Sequence, residues 1–345
     1  MTATLEVHDA AAAFETLATY LDEESFWERS DAVADLYLGY GLSAALRRDT
    51  FPSPPEPCAL PLLACRIRPQ HLPTRTAGRY ELGRWECTWG EREYAAAVES
   101  VRAAIGRGDV YQVNLVQHLS ATFAGDPAGL ASALASLRPR CPRPLAGDGW
   151  AIVSASPECF LARRRGRLVT LPIKGTRPVG EDVDSAKDAA EHVMIVDLER
   201  NDLSRVCEPG SVRWPELMAQ RDLAGVTHLV STVEGRLRDD ASLAEILSAT
   251  FPGGSVTGAP KIAALDLIAA LEPVGRGASM GALGTLQPNG DFDLTLTIRT
   301  FAVADGQIHL WVGGGVVWDS RPEAEIEESW VKARPLLAAL GGPAA

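Results

Sequence analysis

The chain has 345 residues, enough to bury a sizeable core, and carries 33 Lys+Arg against 45 Asp+Glu for a formal charge of -12. No basic block alternates with aromatic residues, and no apolar run approaches membrane-spanning length, so neither nucleic acid nor a bilayer is an expected partner. The six cysteines (Cys58, Cys65, Cys87, Cys141, Cys159, Cys207) contain no Cys-x-x-Cys pair and read as reduced thiols of a cytoplasmic protein, and the polar, alanine-rich N-terminus has no signal-peptide pattern.

In chain order, residues 11–21 predict a helix, and Pro52, Pro54, Pro55 and Pro57 mark a loop. Residues 91–106 predict an amphipathic helix with Tyr94, Val98, Val101 and Ile105 on one face. A strand follows over 110–119. It sends Val113, Leu115 and Leu119 one way and Gln112, Asn114 and His118 the other, toward water or a cavity, with water the default. A helix over 128–137 and a proline-rich break over 138–144 precede short strands at 150–154, 160–162 and 167–173.

The last of these strands delivers Lys174 into a Gly175-Thr176-Arg177-Pro178 turn. A lysine at a strand end beside apolar surface can have its pKa lowered and act as a nucleophile; a solvated loop lysine is the plain alternative. Residues 184–202 predict a helix on which Asp188 and Glu191 share a face, and 227–237 predict a strand. The glycine-rich stretch 251–258 leads into a helix from Pro260 to Leu271. Its lysine spacing misses the phosphate-loop pattern, which leaves backbone amides at a helix start as an anion cradle.

Runs at 280–287, 292–303 and 307–318, separated by Asn289-Gly290 and Asp305-Gly306, predict a meander. Arg299 falls inside its middle strand, where arginine is unusual unless paired, and Gly313-Gly314-Gly315 offers bare backbone to an anion. Asp319-Ser320 with Pro322 predict the cap of a closing helix that carries Glu325, Glu328 and Lys332. The Asp188/Glu191 and Glu325/Glu328 clusters would suit Mg²⁺, which takes oxygen ligands; two solvated acidic helix faces are the alternative.

Over residues 91–340 the chain resembles the chorismate-utilising enzymes, which make anthranilate, aminodeoxychorismate, isochorismate and salicylate. The resemblance is carried by Gly-Asp-Val-Tyr-Gln-Val-Asn at 108–114, Ser-Pro-Glu at 156–158 and Pro-Ile-Lys-Gly-Thr-Arg-Pro at 172–178. It continues through Ala-Glu-His-Val-Met-Ile-Val-Asp-Leu at 190–198, Arg-Asn-Asp-Leu at 200–203, Phe-Pro-Gly-Gly-Ser-Val-Thr-Gly-Ala-Pro-Lys at 251–261 and Glu-Ala-Glu-Ile-Glu-Glu at 323–328.

The resemblance implies an α+β fold of two packed antiparallel β-sheets flanked by helices, with the active site in the cleft between them. Residues 1–90 would be a shortened N-terminal region of the same fold and 91–341 the chorismate-binding catalytic domain. Glu191 and Glu328 would bind Mg²⁺, with Asp188 and Glu325 beside it. Glu158 would be the general acid at the C4 hydroxyl of chorismate. Arg299, Lys332 and the amides near Gly313 and Gly314 would clamp carboxylates, with Gln112, Gly175, Thr176, His228 and Ser255 on the substrate side.

Water-adding relatives carry a lysine base where this chain has Gln112, and an amide cannot serve as that base, so ammonia is the expected nucleophile. Lysine at 174, where anthranilate-forming relatives carry alanine, points to the aminodeoxychorismate-forming branch. There the amine attacks C2, ammonia follows at C4, and a glutamine amidotransferase partner supplies the ammonia for p-aminobenzoate and folate synthesis. An anthranilate- or aminodeoxyisochorismate-forming enzyme and an inactive chorismate-binding homologue are the alternatives. The chain departs from the family pattern at 141–147, at Ser279 in place of an aromatic residue, and at the bulkier Val312. It also lacks the Leu-Leu-Glu-Ser element of tryptophan feedback.

Overall fold

Two antiparallel sheets share the strands of the computed structural model, which describes residues 3–48, 52–71, 78–178, 186–223 and 226–341. The strands are β1 (Ala3–Val7), β2 (Ala32–Leu38), β3 (Leu63–Pro69), β4 (Tyr80–Leu82), β5 (Glu86–Cys87), β6 (Gln112–Gly125), β7 (Leu145–Ala146), β8 (Trp150–Ser154) and β9 (Cys159–Arg164). They continue with β10 (Arg167–Leu171), β11 (Ile173–Pro178), β12 (Arg213–Leu223), β13 (Val226–Arg236), β14 (Gly258–Ala259), β15 (Ala282–Leu286), β16 (Phe292–Leu296), β17 (Thr300–Ala304) and β18 (Gln307–Val316). The helices are α1 (Ala13–Glu23), α2 (Glu91–Gly106), α3 (Pro127–Leu134), α4 (Ala186–Ser204), α5 (Leu243–Thr250), α6 (Lys261–Leu271) and α7 (Pro322–Ala339).

The first sheet runs β1-β3-β2-β15-β16-β9-β10-β13-β11, with β12 on β13. The second runs β14-β6-β18-β17-β8-β7, with β4 and β5 on β6. Burial explains the sandwich. One core cluster joins Leu36, Leu161, Leu283 and Leu294 of the first sheet to Val116, Ile152 and Trp311 of the second. A second cluster lies under α3 and α7, where Leu130, Leu336 and Leu337 cover Leu119, Phe301, Leu310 and Val312. Apolar side chains on both sides of the second sheet exclude water from it, so polar side chains reaching its inner face must find partners there.

Several expectations need correction. The run 292–303 is not one strand: β16 ends at Leu296 in the first sheet and β17 begins at Thr300 in the second. The Asn289-Gly290 turn therefore closes a first-sheet hairpin, β15–β16, and Asp305-Gly306 closes a second-sheet hairpin, β17–β18, so there is no three-strand meander. An unbroken apolar run conceals this switch because both strands are buried. Arg299 lies at the crossing itself, with φ 51°, rather than inside a strand. Nor does Asp319-Ser320 cap α7. Its N-cap is Arg321, and the Ser320 hydroxyl instead accepts the Val317 amide at 3.0 Å.

The chain makes a second crossing between the sheets at residues 155–158, and the two crossings lie side by side. The Ala155 amide donates to the Arg299 carbonyl at 2.9 Å, the Leu296 amide donates to the Glu158 carbonyl at 3.0 Å, and the Ser154 and Thr300 hydroxyls meet at 2.8 Å. Glu158 and Arg299 are thereby fixed at the seam between the sheets.

Candidate active site

Pro172 has no amide hydrogen and separates β10 from β11, while the Ser231 amide donates to its carbonyl at 3.2 Å. The pairing of β11 with β13 then shifts between Lys174 and Arg177, and Gly175 takes φ 61°, a conformation glycine adopts without strain. These breaks turn Lys174 toward α4. Its Nζ donates to Glu191 Oε1 at 2.8 Å, and the same oxygen accepts Gln112 Nε2 of β6 at 2.6 Å. The helix is held against β13 by His192, fully buried beside Glu191, whose Nε2 lies 2.6 Å from Ser231 Oγ. One carboxylate oxygen thus joins the last strand of the first sheet, a helix and the second sheet. The polar row of β6 is buried there instead of facing water: Gln112 is 1% exposed, Asn114 7% and His118 4%.

Glu158 is buried at the crossing, and its Oε1 accepts the Ser255 hydroxyl at 3.1 Å from the loop after Phe251. Burial pushes the Glu158 carboxyl above the usual carboxylate range, against the opposing pull of Lys174 and Ser255. A buried acid of this kind can hold a proton to give to a leaving group. For Lys174 the balance is the reverse of the expected lowering. Burial disfavours the ammonium, but Glu191 outweighs it and keeps the amine protonated above the ordinary lysine range. Glu191 in turn is held below the usual range: burial opposes its charge, and Lys174 and Gln112 overcome that. Arg299 is lowered by burial and is close enough to feel Glu158. His228, lowered mainly by burial, has its Nδ1 2.8 Å from the Gly175 carbonyl and so braces the irregular part of β11 beside Lys174.

A second group belongs to α7. Lys332 Nζ donates to Glu328 Oε1 at 2.7 Å and to the Gly313 carbonyl at 2.8 Å. Glu325 is buried below it, 3% exposed. The glycines of β18 make room for these groups. A Cβ at Gly314 would stand 2.9 Å from Glu328 Oε1 and 3.4 Å from Glu325 Oε2, and one at Gly315 only 2.8 Å from Glu191 Oε1. The α7 group reaches the first group electrostatically, since Glu328 acts on Lys174 and Lys332 on Glu191. Strand β17 accompanies β18 only as far as Leu310, so one edge of Gly313–Gly315 has no strand beside it among the described residues.

The oxygen-only donor set of Glu191, Glu325 and Glu328 suits a hard divalent cation. As placed, Glu191 and Glu328 are each spanned by a lysine, and among the described residues no three His, Cys, Asp or Glu side chains converge closely enough to hold a metal ion. The side chains of Asp188 and Thr176 lie outside the described residues. Ser279 is fully buried, and Val312 packs under α3 and α7.

Sequence reasoning missed three buried polar pairs behind the site. Lys261 Nζ meets Asp202 Oδ2 at 2.6 Å, and Thr170 Oγ1 donates to Glu199 at 2.9 Å, whose carboxyl burial pushes up to about 8. Arg276 pairs with Glu272 at 2.6 Å and also holds the carbonyls of Asn114 and Val256. None of the three had a readable signal: α6 ends at Leu271 and Pro273 follows Glu272, so the four-residue spacing of Glu272 and Arg276 is not that of a helical turn.

The sequence profile of a family described as chorismate binding enzyme matches residues 28–338. Aminodeoxychorismate synthase component 1 of Salmonella typhimurium is 41% identical over 281 residues, covering 78% of this chain and 62% of that protein. Anthranilate synthase component 1 of Thermus thermophilus is also 41% identical over 281 residues, covering 77% of this chain and 60% of that protein. The chain thus spans less than two thirds of the length of these curated relatives. The crystal structure of anthranilate synthase component I from Streptococcus pneumoniae superposes with a TM-score of 0.79 at 25% identity, over 91% of this chain and 84% of that one.

Proposed function

This chain belongs to the chorismate binding enzyme family, and from that premise we propose that it forms 4-amino-4-deoxychorismate from chorismate and ammonia, as the chorismate-handling component of an aminodeoxychorismate synthase. The observation that carries the reading is Lys174: an amine in the seam between the sheets, 2.8 Å from Glu191 and within electrostatic reach of the protonatable Glu158.

In this reading Lys174 first gives up a proton to solvent as substrate enters, since Glu191, held below the usual carboxylate range, orients the amine and does not take its proton. The neutral amine forms a bond to C2 of the ring. As the ring π-electrons shift, the C4–O bond breaks and the hydroxyl leaves as water with the Glu158 proton. Ammonia then bonds to C4, and the C2–N bond breaks with its electron pair returning to Lys174. The surplus proton on the new amine returns to Glu158. Splitting one substitution into two keeps the ring carbons oriented throughout. Arg299, Lys332 and the open edge of Gly313–Gly314 would hold substrate carboxylates, with Ser255, His228 and Gly175 shaping the pocket. Glu191 and Glu328, with Glu325 nearby, would hold Mg²⁺, which when bound supplies a Lewis-acid anchor for a carboxylate.

A glutamine amidotransferase partner would supply the ammonia, consistent with relatives named component 1. A cytoplasmic location and a role in p-aminobenzoate and folate synthesis belong to the same proposal. All six cysteines are free, and among the described residues no helix is long and apolar enough to cross a membrane.

The equal identity to an anthranilate synthase keeps anthranilate formation as the second reading. Mass spectrometry of products from chorismate, Mg²⁺ and ammonium separates the two. The expected result is aminodeoxychorismate from the parent, and its loss or diversion to anthranilate in Lys174→Ala. A product mixture indifferent to that change would refute the covalent role of Lys174.

A further inference from the structure

We propose that Gln117 is a positioning residue of the active site: through Ser329 it fixes the register of α7 on the second sheet and so sets where Glu328 and Lys332 stand. The roles of Glu328 and Lys332 rest on the preceding reading.

Helix α7 covers a largely apolar face of the second sheet, where Leu119 and Ala121 of β6 lie beside Leu310 and Val312 of β18. Gln117 stands two residues before Leu119 and opposite Val312 in register, so it shares that face, and it is buried. Its Nε2 donates to Ser329 Oγ at 2.6 Å. Ser329 is fully buried, and its hydroxyl donates to the Ile326 carbonyl at 2.7 Å. A hydroxyl has one proton and a carbonyl has none to give, so Ser329 accepts from Gln117, and the amide NH₂ must face the helix.

A buried amide is costly unless bonded, and stability alone would be served by an apolar side chain at this position. What the amide adds is direction. Ala333, Leu336, Leu337 and Leu340 hold the C-terminal half of α7 through apolar contacts, which by themselves let a helix slide or roll on a sheet. Ser329 lies one turn before Ala333, and the residues around it on α7 are Glu325, Glu328 and Lys332. The Gln117–Ser329 bond therefore joins the apolar half of the helix to its charged half. The charged half has little slack: a Cβ at Gly314 would stand 2.9 Å from Glu328 Oε1 and 3.4 Å from Glu325 Oε2. One residue of a helix spans about 1.5 Å, so even a single-residue slip would carry Glu328 along the glycine stretch of β18.

The first sheet has a matching device. His192, next to Glu191 on α4, meets Ser231 of β13 at 2.6 Å, and both are fully buried. Each helix is thus pinned to its own sheet by a buried polar bond at the residue that follows a proposed cation ligand. The two pins do different work in the reaction. Lys174 and Glu158, which make and break bonds, stand on β11 and on the crossing at 155–158, whereas α7 carries groups that hold substrate. Loosening α7 should weaken substrate holding and spare bond-making.

The test compares the parent with Gln117→Leu, Ser329→Ala, the double variant, and Leu336→Ala, which trims an apolar contact of α7 and keeps the hydrogen bond. Chorismate binding with Mg²⁺ present and ammonium omitted is measured by calorimetry, at a temperature where melting curves show each variant folded. The chorismate Kd should rise about tenfold in each of the first two and no further in the double variant, and Leu336→Ala should stay within about threefold of the parent. In turnover the KM for chorismate should rise likewise, with kcat within about threefold. A Kd unchanged in both single variants overturns the proposal, and so do additive effects in the double variant. A Leu336→Ala Kd that rises as far also overturns it, because packing of α7 in general would then place the site. A parent that binds chorismate yet makes no aminated product refutes the ammonia-using reading, while the Kd comparison still judges Gln117.

Discussion

Lysine meets glutamate twice near the proposed active site, at almost the same distance and with opposite consequences. Lys174 and Glu191 sit 2.8 Å apart with 14% and 13% of their side chains exposed; Lys332 and Glu328 sit 2.7 Å apart with 34% and 48% exposed. The first pair comes from a strand and a helix that meet only through the fold. The second comes from successive turns of α7, a spacing that forms in an isolated helix. Contact geometry alone would rank them equal. Burial separates them, because a charge withdrawn from water depends on its partner in a way that a solvated charge does not.

The largest effect should come from breaking the buried pair on one side. In Lys174→Met, Glu191 keeps only the Gln112 amide as a close side-chain donor among the described residues. Removing one member of a buried pair typically costs about 3–5 kcal/mol, and a loss of that size is expected in urea denaturation with chelator present. Lys174→Met/Glu191→Met removes the stranded charge and should regain most of the loss. A single variant no less stable than the parent would mean that the pair is far better solvated than its burial implies.

Buried histidines extend the comparison to groups kept neutral. His118 Nε2 lies 3.0 Å from His309 Nδ1 between the sheets, and Thr88 Oγ1 lies 2.6 Å from His118 Nδ1. Burial lowers His118 to about 3, helped by His309, and lowers His309 to about 4 despite Asp305. Folded values below the unfolded one mean that the stabilisation is fully present above pH 6.5. It is lost progressively as pH falls from 6.5 to the folded values near 4 and 3. His309→Gln should therefore show a shallower acid loss than the parent, by on the order of 1–3 kcal/mol over that interval. Parallel stability–pH curves would show that these imidazoles titrate normally.

The same contrast explains what the sequence revealed. Local signals were legible: α2 has the expected bounds because its apolar stripe and the Gly106-Arg107-Gly108 ending are local, and Gly175 marked the irregularity beside Lys174, although it is a register shift within β11, which runs on through Pro178 where a turn was expected. The motifs located Lys174, Glu158, Gln112 and Glu191, and the fold brings Lys174, Gln112 and Glu191 onto one oxygen. What stayed hidden depends on pairing at long range. Strands β1–β3 extend the first sheet through β15, more than 200 residues away, and no local pattern specifies that. Lys261 finds Asp202 across 59 residues. The direction of the Lys174 shift was misjudged for the same reason: apolar neighbours in sequence suggested a lowered value, whereas the nearest group in space is a carboxylate.

The smallest effect should come from the exposed pair, and it is the sharper test of the argument. Lys332→Met removes a contact screened by water, so the stability change should stay within about 1 kcal/mol. It should shrink further as salt rises, because at 1 M ionic strength the screening length falls to about 3 Å. The loss in Lys174→Met should persist under the same salt, since ions do not enter the seam between the sheets. If salt erased both effects alike, the two pairs would be electrostatically equivalent, and burial would not be what sets Lys174 apart. If it erased only the effect at Lys332, the distinction would rest on the position of the two lysines in the fold, with residue type and distance held constant.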